Sequence, residues 1–118
     1  MKKYNIAVIG YGKIGSLIVE KLLLNKYKIL IYDKKYLDFE NRKSGLIFSR
    51  SLNEFLNLLK KNTIIFLCLP NGAQTHGIFK NLLKNISKDS ILIDLANSNF
   101  YETDKKLREC EKKKIKFL

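Results

Sequence analysis

The chain has little with which to build a metal centre, a disulfide framework or a membrane anchor. Its 118 residues include one histidine, two cysteines, one proline and no tryptophan. Cys68 stands inside an apolar run and Cys110 inside a charged one, so neither has ligand spacing and no disulfide framework is implied. Cys68 is expected to be a small buried hydrophobe and Cys110 a surface residue. Free thiols of this kind fit a reducing cytosol. No apolar run approaches the length of a membrane span. The N-terminal lysines lead directly into a short strand and not into a signal-peptide apolar region. A cytoplasmic protein without a membrane partner is therefore expected. Acids are also scarce, 11 against 23 basic residues, for a formal net charge of +12. Such an excess invites a nucleic-acid reading. The lysines, however, are scattered at Lys2, Lys3, Lys21, Lys60, Lys61, Lys105, Lys106 and Lys112 to Lys114, over several predicted helix faces and ends. No aromatics interleave with them to stack bases. They read as a solvated exterior, no nucleic-acid partner is expected, and the general field should still draw anionic ligands.

What the chain does have is a glycine turn in the right surroundings. Ile6-Ala7-Val8-Ile9 reads as a buried strand that runs into Gly10-Tyr11-Gly12-Lys13-Ile14-Gly15 and then into an amphipathic segment, Ser16 to Asn25. This is G-x-G-x-x-G between strand and helix. Gly10 permits the sharp reversal, Gly12 removes a side chain where a pyrophosphate must approach, and Gly15 lets helix and strand pack closely. The helix then aims its leading N–H groups and positive dipole end at the phosphates. Lys13, within the turn, either approaches phosphate or points to solvent.

A second strand, Tyr27 to Asp33, ends in an acid about 20 residues beyond the glycines, where dinucleotide-binding folds grip the adenosine ribose hydroxyls. The plainer alternative for Asp33 is a turn or capping acid. A carboxylate there repels a 2′-phosphate and favours NAD, whereas Lys34 and Lys35 beside it could neutralise that phosphate and admit NADP.

Strand and helix patterns then alternate to the last residue. A polar connection over Lys34 to Lys43, with room for a helical turn, leads to a short third strand, Leu46-Ile47-Phe48. Ser51 and Glu54 have capping-box spacing before Leu52, Phe55, Leu56 and Leu59 at helical intervals. Strand four, Ile64 to Leu69, is stopped by Pro70-Asn71-Gly72. A helix follows with Ile78, Phe79, Leu82, Leu83 and Ile86 on one face. Strand five is Ile91 to Asp94, a helix spans Tyr101 to Lys113, and Ile115 to Leu118 form a sixth strand. Strands apolar on both faces, separated by amphipathic helices, imply one α/β domain over residues 1–118: a Rossmann-like doubly wound parallel sheet with helices on both faces. Right-handed crossovers predict the strand order 3-2-1-4-5-6, with ligand at the carboxyl ends of strands one and four.

Three segments resemble the cofactor domain of the 6-phosphogluconate dehydrogenase family, within the β-hydroxyacid dehydrogenases. They are Gly10 to Gly15, Leu69-Pro70-Asn71-Gly72, and Asp94-Leu95-Ala96-Asn97-Ser98 with the helix and strand after it. The last is similar to the family's D-G-G-N-S segment. The resemblance implies that Leu69, Pro70 and Asn71 touch the nicotinamide side and that Asn97 contacts the nicotinamide ribose or the substrate. An asparagine amide suits that contact, offering donor and acceptor without charge. Asn97-Ser98-Asn99 is equally suited to a turn and helix cap. Leu95-Ala96 replaces two glycines, and side chains there would crowd the backbone's approach to substrate.

The resemblance covers the whole chain but only the first part of a family member. The family's catalytic lysine and glutamate lie beyond it, and no residue here is a convincing general base. His76, at a helix start, reads as a surface or capping residue. The expectation is thus the NAD(P)-binding domain of a 6-phosphogluconate dehydrogenase-like oxidoreductase, shorn of its catalytic domain and inactive alone, with that domain or a second copy as partner. The alternative is a nucleotide-sensing module similar to potassium-uptake regulators. No catalytic or metal-binding residue is assigned.

Overall fold

The computed structural model describes residues 5–34, 45–70, 72–95 and 100–118. Along the chain these form β1 (Asn5–Ile9), α1 (Lys13–Leu24), β2 (Ile29–Tyr32), β3 (Leu46–Phe48), α2 (Leu52–Leu58), β4 (Thr63–Leu67), α3 (Ala73–Asn85), β5 (Ile91–Asp94), α4 (Phe100–Lys112) and β6 (Lys116–Phe117). The sheet has six strands in the order β3-β2-β1-β4-β5-β6. Every pairing is parallel. Both the order and the fold class match the sequence expectation.

Alternation along the strands divides the core into two layers. On one face Ile6, Val8, Ile29 and Ile31 are buried with Val19 of α1. On the other, Ala7, Ile9, Ile65, Leu67 and Leu92 are buried with Phe55 of α2, Phe79 and Leu82 of α3, and Cys110 of α4. The strands β1, β2 and β4 contribute to both layers because neighbouring residues of a strand point to opposite faces. That is why the strands read as continuous apolar runs.

Element ends differ from the expected ones in small ways. The second strand is shorter than Tyr27 to Asp33, since Tyr27 and Lys28 still belong to the connection. α1 starts at Lys13, inside the glycine motif, not at Ser16. Ser51 caps α2 as expected, its hydroxyl accepting the Glu54 N–H at 3.1 Å. The Glu54 carboxylate reaches back to the Arg50 N–H, one residue upstream of the usual capping-box partner. Cys110 corrects an expectation outright: it is fully buried and not on the surface. Cys68 is only half-buried. The polar connection at Lys35 to Lys43 lies outside the described residues.

Candidate functional site at the carboxyl edge of the sheet

The parallel topology sends every strand-to-helix connection to one edge. At the centre of that edge, where the strand order reverses between β1 and β4, stands the glycine turn. Gly10 has φ +98°, a region that L side chains rarely adopt. Its N–H donates to the Tyr32 carbonyl at 2.9 Å, tying the turn to β2. A Cβ on Gly10 would stand 2.4 Å from the Cys68 carbonyl oxygen, and one on Gly15 would stand 1.9 Å from the Gly10 carbonyl oxygen. These two glycines are packing requirements. Gly12 differs: a Cβ there would meet no heavy atom within 4 Å. The chain leaves open space at the position the motif reserves for pyrophosphate.

α1 begins at that opening. Its N-cap is Gly12, no side chain caps it, and its first turn contains no acid. The leading N–H groups of a helix have no intrahelical partners, so they and the positive dipole end lie at the opening with no acid of the helix's own first turn to compensate them. Lys13 and Ile14 of this first turn are both exposed. The residues present therefore fit a dinucleotide's pyrophosphate: a cradle left open at Gly12, N–H donors, and no acid in the first turn of α1.

Asp33 follows β2 and lies beside the turn. Its Oδ2 accepts the Tyr11 N–H at 2.5 Å. The Tyr11 ring packs edge-on against Phe48, at the end of β3, with centroids 5.5 Å apart. The carboxylate thus holds the turn from the β2 side while remaining part-exposed, and Lys34 next to it is exposed. On the other flank, Leu69 approaches the turn, its Cδ2 standing 3.2 Å from where a Gly10 Cβ would be. Pro70 is exposed, and its carbonyl accepts the Thr75 hydroxyl from the first turn of α3. Of the sequence-nominated residues, Gly10 to Gly15, Asp33, Lys34, Leu69 and Pro70 converge on this one edge. Lys35, Asn71 and Asn97 lie outside the described residues, as do Ala96, Ser98 and Asn99.

The structure also brings forward a residue that the sequence reading left on the solvated exterior. Lys106 of α4 is 7% exposed. Its Nζ lies 2.9 Å from Oδ2 of Asp94, the last residue of β5, and 5.9 Å from the centroid of the Phe79 ring. An acid ending a buried strand needs a counter-charge, and that was the signal available in the sequence. Lys106 lines a cleft of about 360 Å³ between the first turn of α3 and α4, shared with Thr75, His76 and Glu102. His76 is half-buried there and is not simply a surface residue. Burial, reinforced by the Asp94 charge, raises the Cys68 thiol to about 11. The thiol is therefore a poor nucleophile at neutral pH. Among the described residues no group of three or more His, Cys, Asp or Glu could hold a metal ion.

A doubly wound sheet whose order reverses at a G-x-G-x-x-G turn, with an acid closing the second strand, defines a dinucleotide-binding domain of the Rossmann class. The chain belongs to a particular family of these: residues 5–118 match the family model for the NAD binding domain of 6-phosphogluconate dehydrogenase. Among curated relatives, the decarboxylating 6-phosphogluconate dehydrogenase of Lactococcus lactis is 28% identical over 123 residues, covering 100% of this chain and 26% of the relative. The NADP(+)-dependent enzyme of Bacillus subtilis is 26% identical over the same share of both chains. Among solved structures, 6-phosphogluconate dehydrogenase of Plasmodium falciparum superimposes with a TM-score of 0.78 at 23% identity, over 97% of this chain and 26% of that one. An imine reductase from Myxococcus stipitatus gives 0.74 at 14% identity, over 98% of this chain and 39% of that one, a likeness of fold alone. The chain spans about a quarter of the length of the curated relatives it matches.

Proposed function

We propose that residues 1–118 form one NAD-binding domain whose cofactor lies across the glycine turn, and that it serves a cytoplasmic 6-phosphogluconate dehydrogenase-like oxidoreductase. Gly10, Tyr11, Gly12, Lys13, Ile14 and Gly15 receive the pyrophosphate, with the N–H groups of α1 as donors. Asp33 takes the adenosine ribose hydroxyls with its carboxylate, while Lys34 and Lys35 flank it. Leu69, Pro70 and Asn71 border the nicotinamide, and Asn97 reaches the nicotinamide ribose or the substrate. The observation that carries this reading is the contrast among the three glycines of the turn: Gly10 and Gly15 are filled against backbone, and of the three only Gly12 opens to empty space, at the uncapped start of α1 where the strand order reverses.

The cofactor, when bound, accepts a hydride. The chain's own contribution is to bind and orient it. Asp33 disfavours a 2′-phosphate by charge repulsion, so NAD is the preferred cofactor, with NADP accepted through Lys34 and Lys35 as the weaker alternative. Hydride transfer from a hydroxyacid also needs a base on the substrate hydroxyl and a pocket that fixes the reacting carbon. The described residues present no such base at the nicotinamide end, and the curated relatives are about four times as long. The catalytic partner is a further domain or a second copy, and the 118-residue chain by itself binds cofactor without turnover. Calorimetry with NADH on the chain and on Gly12→Val tests the site. Binding by the first and not by a folded second supports it, and equal binding by both places the phosphates elsewhere.

A further inference from the structure

The lysines that look scattered in sequence are gathered by the topology. In a parallel sheet every helix-to-strand connection returns to the amino edge, opposite the glycine turn. Lys26 and Lys28 precede β2, Lys60 and Lys61 precede β4, Lys88 precedes β5, and Lys113 and Lys114 precede β6. All seven are exposed, and Asp89 is the one acid in these four connections. Among the described residues the strand-to-helix connections at the other edge carry only Asp33, Lys34 and Arg50. Among the described residues the charge of the connections is therefore concentrated at the amino edge.

Two details show that the charge is placed with some cost. Lys26 (φ 62°) and Lys114 (φ 58°) hold the left-handed conformation just past a helix end, where glycine is the unstrained choice. The lysines also form a row. In sheet order they accompany β2, β4, β5 and β6, with β1 between the first two. With strands about 4.8 Å apart, the row runs about 19 Å.

We propose that this amino edge binds the phosphate backbone of duplex nucleic acid without reading its sequence. A row of about 19 Å runs along just over half of one duplex turn of about 34 Å, beside the phosphates of both strands that face it, and its seven lysines supply the counter-charge. Lysine is a hydrated point charge that suits phosphate, and the row contains no arginine fork to read a guanine edge. Tyr27 is the one exposed aromatic in these connections, too few to stack a series of bases in a single strand. Exposed apolar side chains at this edge, Leu24, Tyr27 and Leu58, cluster toward β2 and α2, and the β5 and β6 connections present none to insert into a bilayer. The expectation that no nucleic acid is bound rested on scattered lysines and on the lack of interleaved aromatics; the fold removes the first ground, and the second bears on stacked single strands and not on a duplex backbone. The inference is independent of the cofactor site at the opposite edge.

The test is fluorescence anisotropy of a labelled 20-base-pair duplex titrated with the 118-residue chain at several salt concentrations. Neutralising five to seven phosphates predicts a slope of log K on log salt of about −4.5 to −6, and affinity that is the same for a scrambled duplex. Lys61→Glu/Lys88→Glu/Lys113→Glu should weaken binding at least about tenfold, and an equal charge change at Lys21, Lys80 and Lys105 less than about threefold, in variants shown folded by circular dichroism. If the edge triple does not fold, single Lys88→Glu and Lys113→Glu changes are compared with single Lys80→Glu. Equal losses from edge and control variants would overturn the proposal in favour of net charge alone. So would no binding at about 100 µM protein in low salt, or preferential binding to phosphatidylserine vesicles over the duplex.

Discussion

The Gly15 α-carbon sits so close to the Gly10 carbonyl that a methyl group on it would lie 1.9 Å from that oxygen. Helix α1 and strand β1 are therefore joined at a point that tolerates no side chain. The same is not true three residues earlier, where Gly12 faces open space. Gly15→Ala should cost at least about 3 kcal/mol of stability, because the obstacle is backbone and cannot move aside as a flexible side chain would. Gly12→Ala should change stability by less than about 1 kcal/mol. Urea unfolding of the two variants checks this, and comparable losses would mean that the two glycines do not have separate roles.

Lys106 and Asp94 form an ion pair whose side chains are 8% and 6% exposed. Removing one partner takes the counter-charge from a group held almost wholly out of water, at a cost of about 3 kcal/mol. Lys106→Met should show that loss. Lys106→Met with Asp94→Leu should recover much of it, since two well-packed apolar groups can replace a buried pair. Unfolding midpoints of the single and double variants decide, and a double variant as unstable as the sum of both singles would contradict the account.

Burial, with a smaller contribution from the Glu109 charge, pushes the Cys110 thiol up from 9.0 to about 12. In the unfolded chain the thiol ionises near 9, so between pH 9 and 12 the folded state holds more protons and stability falls as pH rises. Below pH 9 the contribution is complete. The wild-type chain should lose stability with pH in this window more steeply than Cys110→Ala, by at most about 1.4 kcal/mol per pH unit. Every other ionisable group is common to both proteins, so the difference in slope isolates Cys110. Parallel slopes would show that this thiol is not protected.

Much of the fold was legible because its signals are local. The apolar runs, the Ser51 cap and the Gly10 to Gly15 spacing each depend on neighbours a few residues away, and parallel strand order follows from handedness. What was not legible depended on tertiary partners. α4 has almost no apolar stripe, since its buried face is made of Lys106 and Cys110, four residues apart. Periodicity had no apolar residue at Lys106 to mark as inward. The pairing of Lys106 with Asp94 crosses from a helix to a strand end, and the lysine row at the amino edge exists only once four separate connections return to one side. The site was read by the same division. Gly10 to Gly15, Asp33, Lys34, Leu69 and Pro70 come together at one edge, and the hydrogen bond from Tyr11 to Asp33 was not foreseen.

The central claim is that the glycine turn and Asp33 make an NAD site. Calorimetric titration of the chain with NADH and NADPH tests it most directly, alongside Asp33→Asn, which keeps an acceptor for the Tyr11 N–H and removes the charge. NADH should bind more tightly than NADPH in the wild-type chain. The substitution should erode that preference, since a charge-assisted bond to the ribose contributes about 1.5–3 kcal/mol. NADPH bound about tenfold more tightly than NADH, a difference of about 1.4 kcal/mol, or no binding of either nucleotide by the folded chain, would contradict the account.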